Sequence, residues 1–187
     1  MPSSRPETIA PICDWMSGKS TKDISSVLDV GCGFGKWGFL ARLYIQIWTS
    51  VITTEQWKNW KNELRVDTIE IYEDYITDLQ RKLYNNIYIG DMRKLIDTVE
   101  NYDLIILGEV IEHVPFVEGL KLLNTARKKS KWTIITTPDY FLKGKAYMGN
   151  HYEQHQCMWE DNQFPGDPKI IHVNNQKVIF YDNRTIA

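Results

Sequence analysis

The segment that most constrains the fold is a short apolar run that ends in closely spaced glycines, Val27–Gly35 (VLDVGCGFG). The aliphatic residues of Val27–Val30 predict a buried strand. The three glycines that follow can adopt positive φ and let a ligand approach the backbone. A strand that runs directly into such a turn is typical of the first strand of a nucleotide-binding α/β sheet.

The acid just before this turn indicates which ligand the turn accepts. A pyrophosphate is bound by bare backbone N–H groups, and the carboxylate of Asp29 would repel it. A cationic amino-acid group would instead be attracted. S-adenosylmethionine carries an ammonium, a carboxylate and a sulfonium, so Asp29 favours this cofactor over a nicotinamide dinucleotide.

A second glycine pattern in the same region points to a rival, a nicotinamide oxidoreductase. Gly33–Gly38 fits G-x-G-x-x-G, but that pattern is specific only when it directly follows the strand. Here the predicted strand ends at Val30, and Gly31 already begins the turn. Lys36 is the nearest cation that could neutralise a pyrophosphate, and we expect it to point toward solvent. We therefore expect no binding of nicotinamide cofactors.

Composition limits the class of protein. The 187 residues, 43% of them hydrophobic, suffice for one domain with a substantial core, and a single domain is predicted. The net charge of −2 gives no general attraction to nucleic acid or to an anionic membrane. Three cysteines without paired spacing argue against a disulfide framework. No apolar stretch approaches the ~20 residues that span a bilayer, and Met1–Pro6 has no apolar signal core, so we predict a cytoplasmic protein.

Predicted strands and helices alternate along the chain. The strands are Val27–Val30, Thr68–Tyr72, Ile87–Ile89, Leu104–Leu107 and Trp132–Thr136, followed by a hairpin of Lys169–Val173 and Lys177–Tyr181 around Asn174 and Asn175. The helices are an N-terminal one at about 6–18, then Trp37–Trp48, Asp74–Leu83 and Phe116–Lys128. This order predicts an α/β, Rossmann-like, doubly wound fold with a mostly parallel seven-stranded sheet. The antiparallel C-terminal strand is expected at an edge of the sheet.

Acids stand at the ends of four predicted strands, where ligands of such sheets bind. Asp29 is expected near the ligand ammonium, through water or the turn backbone, and Glu70 is expected to accept both ribose hydroxyls. Asp91 would accept from the adenine amino group while the Met92 N–H donates to the ring, although Asp91 could equally cap a following helix. Glu109 is expected beside the methionine part or the acceptor.

Six segments together resemble a class I S-adenosylmethionine-dependent methyltransferase, in particular the small prokaryotic methyltransferase-domain proteins. They are VLDVGCGFGKWGFLAR, TIEIYEDYI, YNNIYIGDM, YDLIILGEVIEHVP, TIITTPDY and GNHYEQHQCMW, and they span roughly Ser25 to Trp159. The resemblance implies a glycine turn that lines the cofactor, a ribose-binding Glu70 and an adenine site at Asp91 and Met92. The full set of expected cofactor-binding residues is Asp29, Gly31, Cys32, Gly33, Gly35, Glu70, Ile71, Asp91, Met92 and Glu109.

One departure from the family pattern is the long connection between Gly33 and Glu70. It exceeds a short helical crossover, so about 51–64 is predicted to be an insertion. Its residues Trp57 and Trp60 would either cover the pocket or pack in the core.

The acceptor side of the site is predicted from an acid–histidine cluster. Glu109, Glu112 and His113 share one face if the backbone is helical, and His155 follows in a polar aromatic loop. The cluster also resembles the metal-binding small-RNA 3′-end 2′-O-methyltransferases, which implies these four residues as ligands of a divalent ion. The favoured interpretation uses no metal: His113 acts in the acceptor pocket as base or orienting residue, with Glu112 beside it. The loop carrying His155 is long and is not expected to reach Glu109.

The sequence therefore predicts in-line methyl transfer to an oxygen or nitrogen of a small-molecule acceptor, in which the protein mainly holds the reacting groups in position. The first alternative is a metal-dependent RNA 3′-end 2′-O-methyltransferase, which the slightly acidic chain disfavours. The second is a non-catalytic cofactor-binding protein, which would have no open acceptor cleft. The identity of the acceptor and the oligomeric state do not follow from the sequence.

Overall fold

The computed structural model describes residues 5–48, 63–141 and 149–185. Its seven strands form one sheet in the order β3-β2-β1-β4-β5-β7-β6. Their bounds are β1 Ser26–Val30, β2 Arg65–Glu70, β3 Ile87–Ile89, β4 Tyr102–Gly108, β5 Ser130–Pro138, β6 Lys169–Val173 and β7 Gln176–Asp182. β1 to β5 pair in parallel, and β7 is antiparallel to both of its neighbours. The predicted α/β fold, with a mostly parallel sheet and an antiparallel C-terminal strand, is confirmed.

The position of the antiparallel strand differs from the expectation. β7 lies between β5 and β6 instead of at the edge. The two-residue turn at Asn174 and Asn175, with Asn174 at a φ of 53°, folds β7 back between the two strands. Burial agrees with this order, because Gln176–Tyr181 is buried throughout whereas β6 is half exposed. The longer strand thus takes the inner position and buries Val178–Tyr181.

Helices cover both faces of the sheet, as a doubly wound fold requires. They are α1 Ile9–Ser17, α2 Lys36–Ala41, α3 Asp78–Leu83, α4 Met92–Thr98 and α5 Phe116–Lys128. α1, α2 and α3 contribute to one hydrophobic core, and α4 and α5 contribute to a second core on the opposite face. The loops that follow the five parallel strands therefore meet at the carboxyl edge of the sheet.

Local sequence accounts for where several elements begin and end. β2 starts and ends earlier than predicted and stops at Glu70. The helix predicted from Asp74 begins only at Asp78, because Thr77 caps it by accepting from the Leu79 N–H. The helix predicted to run to Trp48 continues beyond α2 as a π-helix, Arg42–Ile47. Almost all of the predicted insertion at 51–64 lies outside the described residues.

Two further expectations concern the chain as a whole. Cys13, Cys32 and Cys157 are free thiols, in agreement with the absence of a disulfide pattern in the sequence. Within the described ranges, no helix is both long enough and apolar enough to cross a membrane.

An ion cluster joins the terminal hairpin to two segments that approach the carboxyl edge of the sheet. His172 lies 2.9 Å from Asp139 through Nδ1 and 2.9 Å from Asp161 through Nε2. The Lys177 Nζ lies 3.1 Å and 2.8 Å from the same two carboxylates. Both ring nitrogens can donate to a carboxylate only in the imidazolium. Asp139 and then Asp161 accordingly raise the pKa of His172.

This cluster predicts a pH-dependent contribution to stability. Because the folded pKa of His172 is raised, its contribution is full below the unfolded pKa and is lost as the pH rises through the folded pKa. His172→Gln should therefore lower the free energy of unfolding at pH 6 and have less effect at pH 9. The effect should stay below ~1 kcal/mol, because the ring is half exposed. Urea unfolding at both pH values measures it, with the exposed His151→Gln as the control, and an equal loss at both would contradict the imidazolium.

Candidate active site

A cavity of about 770 Å³ opens at the carboxyl ends of β1 to β5. It has the size of a small-molecule site. Eight of the ten predicted cofactor residues line it, namely Gly31, Cys32, Gly33, Glu70, Ile71, Asp91, Met92 and Glu109. His113 and His155 line the same cavity. The candidate cofactor and acceptor residues therefore share one space.

The turn after β1 requires glycine for two reasons. Gly31 has a φ of +71°, and a Cβ there would lie 2.7 Å from the Val110 side chain. Its N–H donates to the Ile69 carbonyl at 2.8 Å, which ties the turn to β2. Gly33 also has a positive φ, 49°. The backbone thus curls beside the cavity where a side chain would block it.

Glu70 is held rigidly at the end of β2. Its Oε2 accepts from the Gly33 N–H at 2.9 Å and its Oε1 accepts from the Tyr72 N–H at 2.9 Å. Burial raises the pKa of this carboxyl, and the two backbone N–H groups lower it in part. A carboxylate oxygen has about two acceptor sites, so each oxygen can accept one further hydrogen bond. This geometry suits a pair of neighbouring hydroxyls.

Asp91 follows β3 and has two structural partners. Its Oδ1 accepts from the Arg93 N–H at 2.9 Å and so caps α4. The guanidinium of Arg93 pairs with the same carboxylate and with Glu118. Arg93 lowers the pKa of Asp91, so the group remains a charged acceptor at neutral pH. The capping role considered for Asp91 is therefore present, and the residue also faces the cavity.

Asp29 and Gly35 occupy different places from those predicted, since neither lines the cavity. Asp29 is fully buried below the turn. Its Oδ2 accepts from the Tyr84 hydroxyl at 2.6 Å and from the Gly38 N–H at 3.0 Å, and burial raises its pKa to about 6. A Cβ on Gly35 would lie 2.9 Å from Leu83. Both residues therefore support the turn from beneath.

Lys36 also differs from the expectation, because it lines the cavity instead of pointing toward solvent. Its Nζ lies 4.5 Å from the centroid of the Trp37 ring and 3.5 Å from the Arg5 carbonyl oxygen. The N-terminal segment thereby reaches the site, where the Arg5 N–H donates to Glu109 Oε1 at 3.0 Å. Sequence reasoning missed Arg5 because nothing near it in the chain signals a site over a hundred residues away.

Glu109 directs its side chain into the cavity from a strained backbone. Its φ of +54° lies in the left-handed region, which is unfavourable for a residue with a Cβ. Its N–H donates to the Thr136 carbonyl at 2.9 Å, and this bond helps to hold the conformation. Such strain is commonly found at ligand sites.

The acid–histidine cluster borders the same cavity through His113 and His155. One ligand atom each from Glu112, His113 and His155 lies within 4.8 Å of the others, whereas Glu109 is not part of this group. The two imidazole centroids are 4.9 Å apart. Gln156 brings the loop here, because its N–H donates to the Glu112 carbonyl at 2.8 Å and its side chain to the His113 carbonyl at 2.7 Å.

Burial controls the charge of this cluster. Glu112 is 1% exposed, and neither of its oxygens has a hydrogen-bond partner within the described residues. Burial, and next the charge of Glu109, raise the pKa of Glu112 well above its usual range. Burial lowers the pKa of His113, and it lowers that of His155 to about 4. Both imidazoles are therefore neutral near pH 7 and can take up a proton or bind a metal ion.

The sheet order and the glycine turn beside a buried acid define the class I methyltransferase fold. The family model of the methyltransferase domain matches residues 3–186. The chain therefore belongs to this family and is an S-adenosylmethionine-dependent methyltransferase. No protein with a curated function matches it significantly in sequence.

Solved structures agree with this fold at low sequence identity. The N-terminal domain of EvdMO1 with S-adenosylhomocysteine bound has a TM-score of 0.61 at 13% identity, over 97% of this chain and 82% of that one. Magnesium protoporphyrin IX methyltransferase from Synechocystis PCC 6803 has a TM-score of 0.60 at 13% identity, over 93% and 81%. A methyltransferase from Archaeoglobus fulgidus has a TM-score of 0.57 at 16% identity, over 86% of each chain.

Proposed function

We propose that the chain transfers the methyl group of S-adenosylmethionine to an oxygen or nitrogen nucleophile of a small-molecule acceptor. The observation that carries this proposal is that the glycine turn, Glu70, His113 and His155 line one cavity. A non-catalytic cofactor-binding protein would have no use for the two histidines there. The structure of the EvdMO1 N-terminal domain in the presence of S-adenosylhomocysteine and D-fucose is consistent with a small acceptor on this fold.

The cofactor is proposed to lie along the carboxyl edge. Glu70 would accept from the ribose hydroxyls, because each of its oxygens has an acceptor site left. The Met92 N–H would donate to the adenine ring, and Asp91 would accept from the adenine amino group in place of one of its bonds to Arg93. The turn at Gly31 and Gly33 would take the methionine part, with Glu109 near its ammonium. The cofactor supplies an activated methyl group, so the protein residues need only bind, orient and deprotonate.

The acceptor is proposed to bind beside His113. A neutral imidazole that lines the cavity can accept the proton that an O–H or N–H nucleophile loses on methylation. Glu112 lies behind this wall of the cavity, buried and close to the imidazoles, and would orient the His113 ring by a hydrogen bond. Holding the nucleophile in line with the methyl group accounts for the rest of the rate increase.

Methyl transfer from labelled S-adenosylmethionine to fractionated small metabolites, with an RNA pool in parallel, tests the proposal. On the acceptor that is found, His113→Ala should lower kcat by roughly a hundredfold, the lower range for a general base, and leave cofactor affinity unchanged. His151→Ala, an exposed histidine outside the cavity, should leave kcat unchanged. Labelling of RNA alone, or full activity of His113→Ala, would contradict the proposal.

A metal-dependent RNA 3′-end 2′-O-methyltransferase is the second candidate. The specific observation that favours it is the convergence of Glu112, His113 and His155, three of the four implied ligands. Oxygen and imidazole donors suit a divalent ion such as Mg²⁺ or Mn²⁺. The fourth implied ligand, Glu109, is instead bonded to the Arg5 N–H, so we rank this candidate second.

Removal of metal separates the two candidates. We expect a chelator to leave activity unchanged, since two neutral imidazoles can act without an ion. Loss of activity with a chelator and recovery on adding Mn²⁺ would support the second candidate. An anomalous-scattering peak between Glu112 and His155 in Mn²⁺-soaked crystals would locate the ion.

A further inference from the structure

We infer that Lys36 binds the carboxylate of the cofactor's methionine moiety and so recognises it as a zwitterion together with Glu109. This inference rests on the proposed placement of the cofactor along the carboxyl edge. It adds a residue to the cofactor site that neither the glycine turn nor the acids at the strand ends indicate.

The carboxylate of the cofactor's methionine moiety requires a cation among the residues that line the cavity. Glu70 and Glu109 can receive hydroxyl and ammonium donors, but a carboxylate needs a cation. Apart from histidines, the described cavity lining contains three cations: Arg5, Lys36 and Arg93. Arg93 pairs with the acid after β3 and with an acid of α5, which places it at the proposed adenine end. The choice at the methionine end is therefore between Arg5 and Lys36.

The position of Arg5 assigns it to the wall of the cavity. Its guanidinium donates to the Tyr140 hydroxyl and lies 5.7 Å from the centroid of that ring. Tyr140 follows β5, which lies two strands away from β1 and its glycine turn. The backbone of Arg5 has a separate role, since its N–H holds Glu109 and its carbonyl oxygen lies 3.5 Å from the Lys36 Nζ.

The position of Lys36 matches the methionine end. It directly follows the glycine turn, and its ammonium is half-buried over Trp37. Glu109 exerts the strongest favourable charge effect on it. The positive side chain of Lys36 and the negative side chain of Glu109 thus face the cavity side by side, next to Arg5. The ammonium and carboxylate of an amino acid are attached to one carbon, so a paired arrangement of this kind matches both groups.

The titration of Lys36 provides an independent test, because it makes cofactor binding depend on pH. Burial lowers its pKa to about 8, although negative charge at Glu109, Asp29, Cys13 and Glu7 acts in the opposite direction. A bound carboxylate would favour the protonated amine. Cofactor binding near pH 8 should therefore take up a proton, and affinity should fall as the pH rises toward 9.

Calorimetric titration of the full chain with two ligands tests the inference. S-adenosylhomocysteine has the amino-acid moiety, whereas 5′-deoxy-5′-methylthioadenosine lacks it. Lys36→Met should weaken binding of the first about tenfold or more, the loss of a charge-assisted hydrogen bond, and should leave binding of the second within about twofold. Lys121→Met, on the exposed face of α5, should affect neither. Titrations in two buffers of different ionisation enthalpy should show less proton uptake in Lys36→Met than in the wild type.

The outcomes separate this inference from the proposed function. Equal affinity of wild type and Lys36→Met for S-adenosylhomocysteine, or an equal loss for both ligands, would overturn the inference. Failure of the wild type to bind S-adenosylhomocysteine would instead contradict the proposed cofactor placement. Lys36→Arg covers the case in which Lys36→Met fails to fold. It should bind as the wild type does at pH 7 and lose less affinity than the wild type at pH 9, and a decline at pH 9 as steep as that of the wild type would also overturn the inference.

Discussion

Glu70→Ala is expected to weaken binding of S-adenosylhomocysteine by more than about a hundredfold, or about 3 kcal/mol. Two effects add. The variant loses the acceptor proposed for both ribose hydroxyls. It also leaves the Gly33 and Tyr72 N–H groups without the carboxylate that now accepts from them, and so loosens the turn at which the methionine part is proposed to bind.

Calorimetry at pH 7 measures this effect, with circular dichroism to show that the variant is folded. Glu73→Ala is a matched control, because Glu73 is an exposed acid three residues further on. Its affinity should equal that of the wild type. If Glu70→Ala also bound as the wild type does, Glu70 would not be the ribose ligand.

Trp159→Ala is expected to lower the free energy of unfolding by about 3–5 kcal/mol. The side chain is fully buried and packs against Phe116 and Phe164, with centroid distances of 4.7 and 5.2 Å. Its Nε1 donates to the Ile111 carbonyl at 3.4 Å. It also fills the space beside Gly119, where a Cβ would lie 2.8 Å from the indole. Removing it opens a large cavity in the second core.

Urea unfolding measures the loss, and Met158→Ala, at the exposed neighbour, should cost little. Trp159→Ala should also release the loop that carries His155, because Trp159 anchors this loop to the turn before α5. Hydrogen exchange of the Gln156 N–H, now bonded to Glu112, should become faster in Trp159→Ala. A stability loss below about 1 kcal/mol would mean that other contacts hold this loop.

Several features followed from local sequence because local physics determines them. The strand before Gly31 and the turn after it depend on apolar residues and on glycine conformation, which act within a few residues. The carboxyl edge of a parallel sheet then brings strand ends together whatever the intervening sequence. For this reason the sequence predicts Glu70, Asp91 and Glu109 at one edge of the sheet, and all three line the cavity there.

Other features depend on contacts between residues that are distant in the chain, and only the tertiary structure decided them. Asp29 lies below the turn because Tyr84, 55 residues later, donates to it. Lys36 faces the cavity because Glu109 and the N-terminal segment meet it there. β7 occupies the inner position because its backbone pairs with β5 on one side and with β6 on the other. The sequence by itself determined the class of fold, the cofactor and most of the strand-end acids, since these depend on local patterns. Long-range packing decided which charged groups face the ligand, because the choice depends on partners that no local pattern identifies.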